Sequence, residues 1–253
     1  MEIGLERLRK RPPSRQKGNL VETTSETVVV TGASGNLGRA VANAFAQRGA
    51  NLVLVARHRE ALARYLGGED PRRLFVAADL AAQDGAKAVA DAARARFGRI
   101  DVLCNLAGGF RMAAVHETSD EAWQFLFDLN VKTVLDMARA VVPSMLAAGH
   151  GCIVNVAAYA ALRASANMGA YAAAKSAVVR LTEAMSAELR EHGINVNCVL
   201  PTVIDTPENR RAMPHADPSR WVSPADLAGI IAFLASPAAR AIHGAAIPVT
   251  GLV

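Results

Sequence analysis

Thr27-Val28-Val29-Val30-Thr31-Gly32-Ala33-Ser34-Gly35-Asn36-Leu37-Gly38 is the stretch on which the reading of the fold turns. A β-branched run reads as a strand, and a helical pattern from Leu37 to Gln47 opens directly behind its glycines. Glycines at 32, 35 and 38 permit a tight turn, close backbone approach to a pyrophosphate, and close packing of helix on strand. The helix N-terminus favours an anion, so Gly32, Ser34, Gly35, Asn36, Leu37 and Gly38 form a candidate phosphate cradle. A Gly-rich turn without a ligand is the alternative.

Outward from this turn the pattern keeps alternating. NLVLVA is followed by a helix near Arg59 to Leu66, LFVAAD by an Ala-rich helix to Phe97, and IDVLCNLAG by a long helix from Asp120 to Leu146. CIVNVAA precedes a helix from Gly169 to Glu191, and INVNCVLP and AIPVTG close the series. Strands separated by helices predict an α/β fold, a single doubly wound parallel sheet of Rossmann type with helices on both faces. The strands are apolar on both sides of their alternation, as a doubly covered sheet requires. The expected organisation is a disordered basic extension over residues 1–26 and one dinucleotide-binding and catalytic domain over 27–253. Prolines 201, 207, 214, 218 and 224 rule out one long helix after the INVNCVLP strand, and a loop with short helical turns there is where a substrate lid would sit.

Composition narrows the function classes. With 51% hydrophobic residues over 253 positions the chain can bury a large core, yet its richest apolar run, VVPSMLAAG, is interrupted by Pro143 and Gly149. No membrane span is expected. The start has acidic residues and no apolar core of a signal, so a cytoplasmic location is expected. The formal charge of +5 owes much to the first 26 residues, and the remaining +3 does not make a nucleic-acid stripe. The tail itself reads as a disordered extension, a misassigned start, or a segment for an anionic surface. Cys104, Cys152 and Cys198 sit in or after apolar runs and read as buried free thiols. The six histidines are not spaced as a metal pair, and no metal site is expected.

At the end of the second strand stand Ala56 and Arg57, where an acidic side chain would bind a ribose 2′-hydroxyl. Arg57 could pair with a 2′-phosphate, which favours NADP(H) over NAD(H); a solvated arginine is the alternative. Asp79 is placed to meet the adenine edge or to cap a helix. Further on, Tyr171 and Lys175 lie one helical turn apart, so a phenol and an ammonium can share a pocket. Lys⁺ beside the ring is expected to lower the phenol pKa and let it exchange a proton. Asn130 lies on the apolar stripe with Phe127, Val131 and Val134, where its amide needs partners.

Together these features resemble the short-chain dehydrogenases/reductases over residues 27–253. The resemblance rests on TGASGNLG, Asp79, Asn105-Leu106-Ala107-Gly108, Asn130, the Tyr171/Lys175 pair and Pro201 to Thr206. It implies an NAD(P)-dependent oxidoreductase acting on a small molecule. Tyr171 would be the proton donor, Lys175 its modulator and ribose ligand, and Asn130 the anchor of a water chain. Asn105, Ala107, Gly108 and Pro201 would line the cofactor, and Ile204 and Thr206 would meet the nicotinamide carboxamide. A homodimer or homotetramer is also implied, and the helices 120–146 and 170–190 carry apolar surface to spare.

Departures narrow the expectation. The family's serine, thirteen residues before the tyrosine, falls on Ala158, and Thr202 replaces the glycine after Pro201. The spacing G-x-x-G-x-x-G, Cys104 with Ala107 to Phe110, and the run Leu200 to Arg210 resemble the dihydropteridine reductase branch. Against that branch stand Ala56 in place of its acidic residue and Phe110 in place of its tryptophan. Three functions remain open: a reductase of a ketone or conjugated imine or quinonoid substrate using tyrosine without serine, a dihydropteridine-reductase-like enzyme, and a non-catalytic NADP(H)-binding sensor or scaffold.

Overall fold

The computed structural model describes residues 25–253. Its seven strands are β1 (Thr27–Thr31), β2 (Asn51–Ala56), β3 (Arg73–Ala77), β4 (Val102–Asn105), β5 (Gly151–Val156), β6 (Ile194–Pro201) and β7 (Ala246–Val249). They form one parallel sheet in the order β3-β2-β1-β4-β5-β6-β7. The helices among the described residues are α1 (Asn36–Ala46), α2 (Arg59–Leu66), α3 (Gly85–Phe97), α4 (Asp120–Phe127), α5 (Thr133–Ala148), α6 (Gly169–Leu189), α7 (Pro207–Ala212) and α8 (Pro224–Leu234). This is the expected doubly wound parallel sheet.

Alternation within each strand sorts its side chains between two cores. Val28, Val30, Leu52 and Leu54 pack with α1, α2 and α8, whereas Val29, Val53, Val55 and Leu103 pack with α3 and α5. A smaller cluster of Val178, Val179, Cys198 and Leu200 seats α6 on the sheet. Fully burying each of these valines and leucines stabilises the fold by roughly 1.5–3 kcal/mol before entropy is charged. The three cysteines are buried and free, and burial raises their thiols, Cys152 to about 12 and Cys198 to about 11. β1 lies between β2 and β4, so the winding reverses there and opens a crevice at the carboxyl ends of the strands.

The structure departs from the expected elements in two places. The long helix over 120–146 is divided: a π-helical turn, Asp128–Lys132, separates α4 from α5. Within and just after it the Asn130 and Thr133 side chains donate to the Leu126 and Leu129 carbonyls one turn back, at 2.9 and 2.8 Å. Such side-chain bonds compete with the regular backbone ladder. Helix α8 fills a segment left unassigned between residue 223 and the last strand. It carries its own start signal, since the Ser223 hydroxyl accepts from Asp226 N–H at 3.0 Å and Pro224 occupies the first turn. Residues 1–24 of the expected basic extension lie outside the described residues. Ser25 and Glu26 are held by Asn51, whose backbone N–H donates to the Glu26 carbonyl at 2.8 Å.

Candidate functional site

The glycine turn lies at the switch of winding. A Cβ on Gly38 would collide with the Gly32 carbonyl oxygen, so α1 packs directly on the turn only because residue 38 is glycine. Gly35 caps α1 without a side-chain hydrogen bond, and the first turn holds no acidic residue. The first turn of α1 thus carries no cap or acidic side chain of its own, which fits a dinucleotide pyrophosphate at the glycine turn. Thr31 fixes the opposite wall: its hydroxyl accepts from the Leu106 and Ala107 N–H groups at 2.9 and 3.1 Å and donates to the Cys104 carbonyl. Sequence reasoning did not single out Thr31, although it ends β1 inside the decisive stretch.

The cofactor-side residues are distributed as follows. Arg57 is exposed just past β2, and Asp79 is exposed two residues beyond β3, with its carboxylate accepting from Ala81 N–H at 3.0 Å. The Asn105 amide is buried and donates to Asn155 at 2.9 Å; Asn155 in turn donates to Thr182 on α6. Ala107 lies against the Gly32 turn, and Gly108 lies against Asn130 and Lys175. Pro201 ends β6, and beyond it the Ile204 carbonyl accepts from the Asn209 side chain at 2.8 Å. Thr206 caps α7, its hydroxyl accepting from Asn209 N–H at 3.1 Å. Glu208 on α7 accepts from the Asn36 amide at 2.8 Å, so the segment expected to act as a lid rests against the start of α1.

Tyr171, Lys175 and Asn130 are brought together by one loop. A Cβ on Gly108 would lie 2.7 Å from Asn130 Oδ1 and 3.4 Å from Lys175 Nζ, so this glycine lets the backbone fit between them. The next residue, Gly109, donates its N–H to Asn130 Oδ1 at 3.2 Å and accepts from Asn130 Nδ2 at 3.0 Å. Phe110 then packs edge-on against the Tyr171 ring, centroids 4.8 Å apart and planes at 89°. Asn130, 1% exposed and within the π turn, makes three hydrogen bonds, two to Gly109 and one to the Leu126 carbonyl.

Electrostatics correct one expectation. Lys175 does not lower the Tyr171 pKa in this geometry: burial raises the phenol to about 12 and lowers the lysine to about 8. Nζ lies 5.9 Å from the ring centroid and donates to the Val156 carbonyl at 2.9 Å, and withdrawal from water favours the neutral form of both groups. At neutral pH the site therefore holds an un-ionised phenol able to donate a proton beside a lysine that is still charged. Ala158 is buried, extended, and one residue before a short 3₁₀ turn at Tyr159–Ala161, so no hydroxyl projects from the serine position.

Comparisons with known proteins agree with this geometry. The family profile described as short chain dehydrogenase matches residues 26–217. A D-threitol dehydrogenase from Mycolicibacterium smegmatis is 37% identical over 238 residues, 89% of this chain and 92% of the relative. Among solved structures, a 3-ketoacyl-(acyl-carrier-protein) reductase from Brucella melitensis in complex with NADH superposes with a TM-score of 0.81 at 32% identity, covering 89% of this chain and 97% of its own. The L-sorbose reductase of Gluconobacter frateurii, in complex with NADPH and L-sorbose, gives a TM-score of 0.80 at 30% identity, covering 90% and 96%. On the glycine cradle, the Tyr171/Lys175 pair and these likenesses, the chain belongs to the short-chain dehydrogenase/reductase family of NAD(P)-dependent oxidoreductases.

Proposed function

We propose that the protein reduces a ketone, or a conjugated imine or quinonoid compound, with NADP(H) preferred over NAD(H) and with Tyr171 as proton donor unaided by a serine. The observation that carries this reading is the Tyr171 phenol half-buried against Phe110, with Lys175 and Asn130 gathered at Gly108. A bound reduced nicotinamide supplies the hydride. Tyr171 gives its hydroxyl proton to the substrate heteroatom and is reprotonated from solvent, while Lys175, one helical turn away, binds the cofactor ribose. Asn130 holds the loop that carries Gly108 to Phe110. Gly32, Ser34 to Gly38, Arg57, Asp79, Asn105, Ala107, Gly108, Tyr171, Lys175, Pro201, Ile204 and Thr206 bind the dinucleotide, Arg57 being the ligand of a 2′-phosphate. The catalytic unit is residues 27–253, and it works as a homodimer or homotetramer.

A dihydropteridine-reductase-like activity is the second reading. It is favoured by the Leu200 to Arg210 run, in which Asp205 and Arg210 pair through two contacts of 2.6 and 2.7 Å, and by Ala158. A quinonoid ring already accepts hydride readily and needs only a proton donor. Replacing Tyr171 with Phe tests the core of both readings: turnover falls by about 10²- to 10⁴-fold while NADPH affinity stays within about threefold. Retained turnover removes Tyr171 from the mechanism. If the unaltered protein binds NADPH but oxidises none against ketones, quinones and quinonoid pterin, it is a sensor or scaffold instead.

A further inference from the structure

Among the described residues, large apolar side chains stand exposed on two segments that are tied to α6. Phe110, Met112 and Val115 are 53%, 55% and 70% exposed on the loop after β4, and Tyr159 and Leu162 are 38% and 54% exposed after β5. Both segments are fastened to the amino end of α6. On one side Ala113 N–H donates to the Asn167 carbonyl at 2.9 Å, Val115 lies so close to Gly169 that a Cβ there would be 2.6 Å from its methyl, and Phe110 meets the Tyr171 ring. On the other, the Ser176 hydroxyl donates to the Ala161 carbonyl at 3.0 Å. The charged residue of the first segment, Arg111, is turned onto the Phe125 ring at 3.7 Å. Phe110 thus meets the ring of the proton donor, and the second apolar segment is tied to the same helix.

A polyhydroxy substrate needs a protein partner for each hydroxyl it withdraws from water, and a site built for such contacts places fixed donors and acceptors around the reacting carbon. Here the serine position is Ala158, the turn after Tyr159 is Ala160-Ala161, and the five side chains above offer mainly hydrocarbon. Exposed apolar surface of this kind marks a binding site for an apolar partner. Resting on the reductase reading above, we infer that the substrate is a ring compound, an alicyclic or aryl ketone whose hydrocarbon skeleton lies between Phe110, Met112 and Val115 on one side and Tyr159 and Leu162 on the other. Its carbonyl carbon takes a hydride from the reduced dinucleotide and its oxygen takes the Tyr171 proton, giving a secondary alcohol and the oxidised dinucleotide.

The test measures kcat/KM of the full-length protein with NADPH and NADH for two ketone sets, cyclohexanones and aryl alkyl ketones against polyhydroxy ketones of four to six carbons. The expected result is at least about a hundredfold preference for the ring ketones, set by the apolar area they bury. Leu162→Asn, at an exposed position, lowers kcat/KM for the ring ketones about tenfold, leaves that for the polyhydroxy ketones within about twofold, and leaves NADPH affinity intact. A preference for polyhydroxy ketones overturns the inference while the reductase reading stands. So does a Leu162→Asn protein whose oligomeric mass changes while its selectivity does not, because the patch would then be an interface between copies. Absence of turnover with either set, with dinucleotide still bound, overturns the reductase reading and the inference with it.

Discussion

Replacing Lys175 with methionine should make the protein more stable at neutral pH while abolishing its activity. Lys175 is 6% exposed, and burial brings its pKa from the ordinary 10.5 to about 8. The unfolded chain therefore holds the proton more tightly than the folded one between those values. At about pH 7 both states are protonated and the folded state carries the whole penalty, about 3 kcal/mol at about 1.4 kcal/mol for each tenfold change in proton affinity. As pH rises through about 8 the folded lysine loses its charge, so the penalty shrinks, to about 1 kcal/mol by about pH 10. Methionine fills the same channel without charge but leaves the Val156 carbonyl without its 2.9 Å donor, which costs about 1–2 kcal/mol. The net expectation at about pH 7 is a gain of about 1–2 kcal/mol, or roughly 2–8 °C in Tm for a domain of this size. Near pH 10 the two proteins should be about equal. Urea unfolding of the dinucleotide-free proteins at both pH values measures the difference. A Lys175→Met protein no more stable at neutral pH, or a difference that does not move with pH, refutes the argument that burial penalises this charge.

Two other substitutions separate positioning from cofactor choice. Asn130→Ala removes three hydrogen bonds at a site 1% exposed and strands the Gly109 N–H and carbonyl, so it should cost about 2–4 kcal/mol and roughly 5–15 °C in Tm, read by thermal melting; an unchanged melt contradicts the tethering of the loop. Arg57→Ala should weaken NADPH about 10- to 100-fold and leave NADH within about twofold, measured by fluorescence titration, and equal losses for both would remove Arg57 from 2′-phosphate recognition.

What could be read from the sequence is local. The β-branched runs, the glycine turn and the helical pattern from Gly169 to Glu191 each carry their structure within a few residues, so the parallel sheet and the Tyr171/Lys175 turn were legible. The π turn was not, because nothing in DLNVK distinguishes it from an ordinary helix. It is accompanied by Asn130 and Thr133 side chains bonding back to the backbone and by Asn130 reaching Gly109, a residue twenty-one positions away. The pKa expectation failed for the same reason: spacing on a helix puts lysine near tyrosine, but burial under the loops from β4 and β5 sets which effect wins. Asn105 fitted a cofactor motif, yet its side chain is occupied inside the sheet.

That occupied side chain has a mechanical consequence. Asn105 on β4 bonds to Asn155 on β5, Asn155 bonds to Thr182 on α6, and Thr182 bonds to the Val178 carbonyl, all without contact with water. If α6 lifted away by itself, it would strand the buried Asn155 amide donor, at about 1–3 kcal/mol. The helix bearing Tyr171 and Lys175 is thus locked to the centre of the sheet and opens only when the sheet opens. The apolar segments after β4 and β5 hang on this helix as loops, while the helix itself is tied into the sheet through three buried side chains.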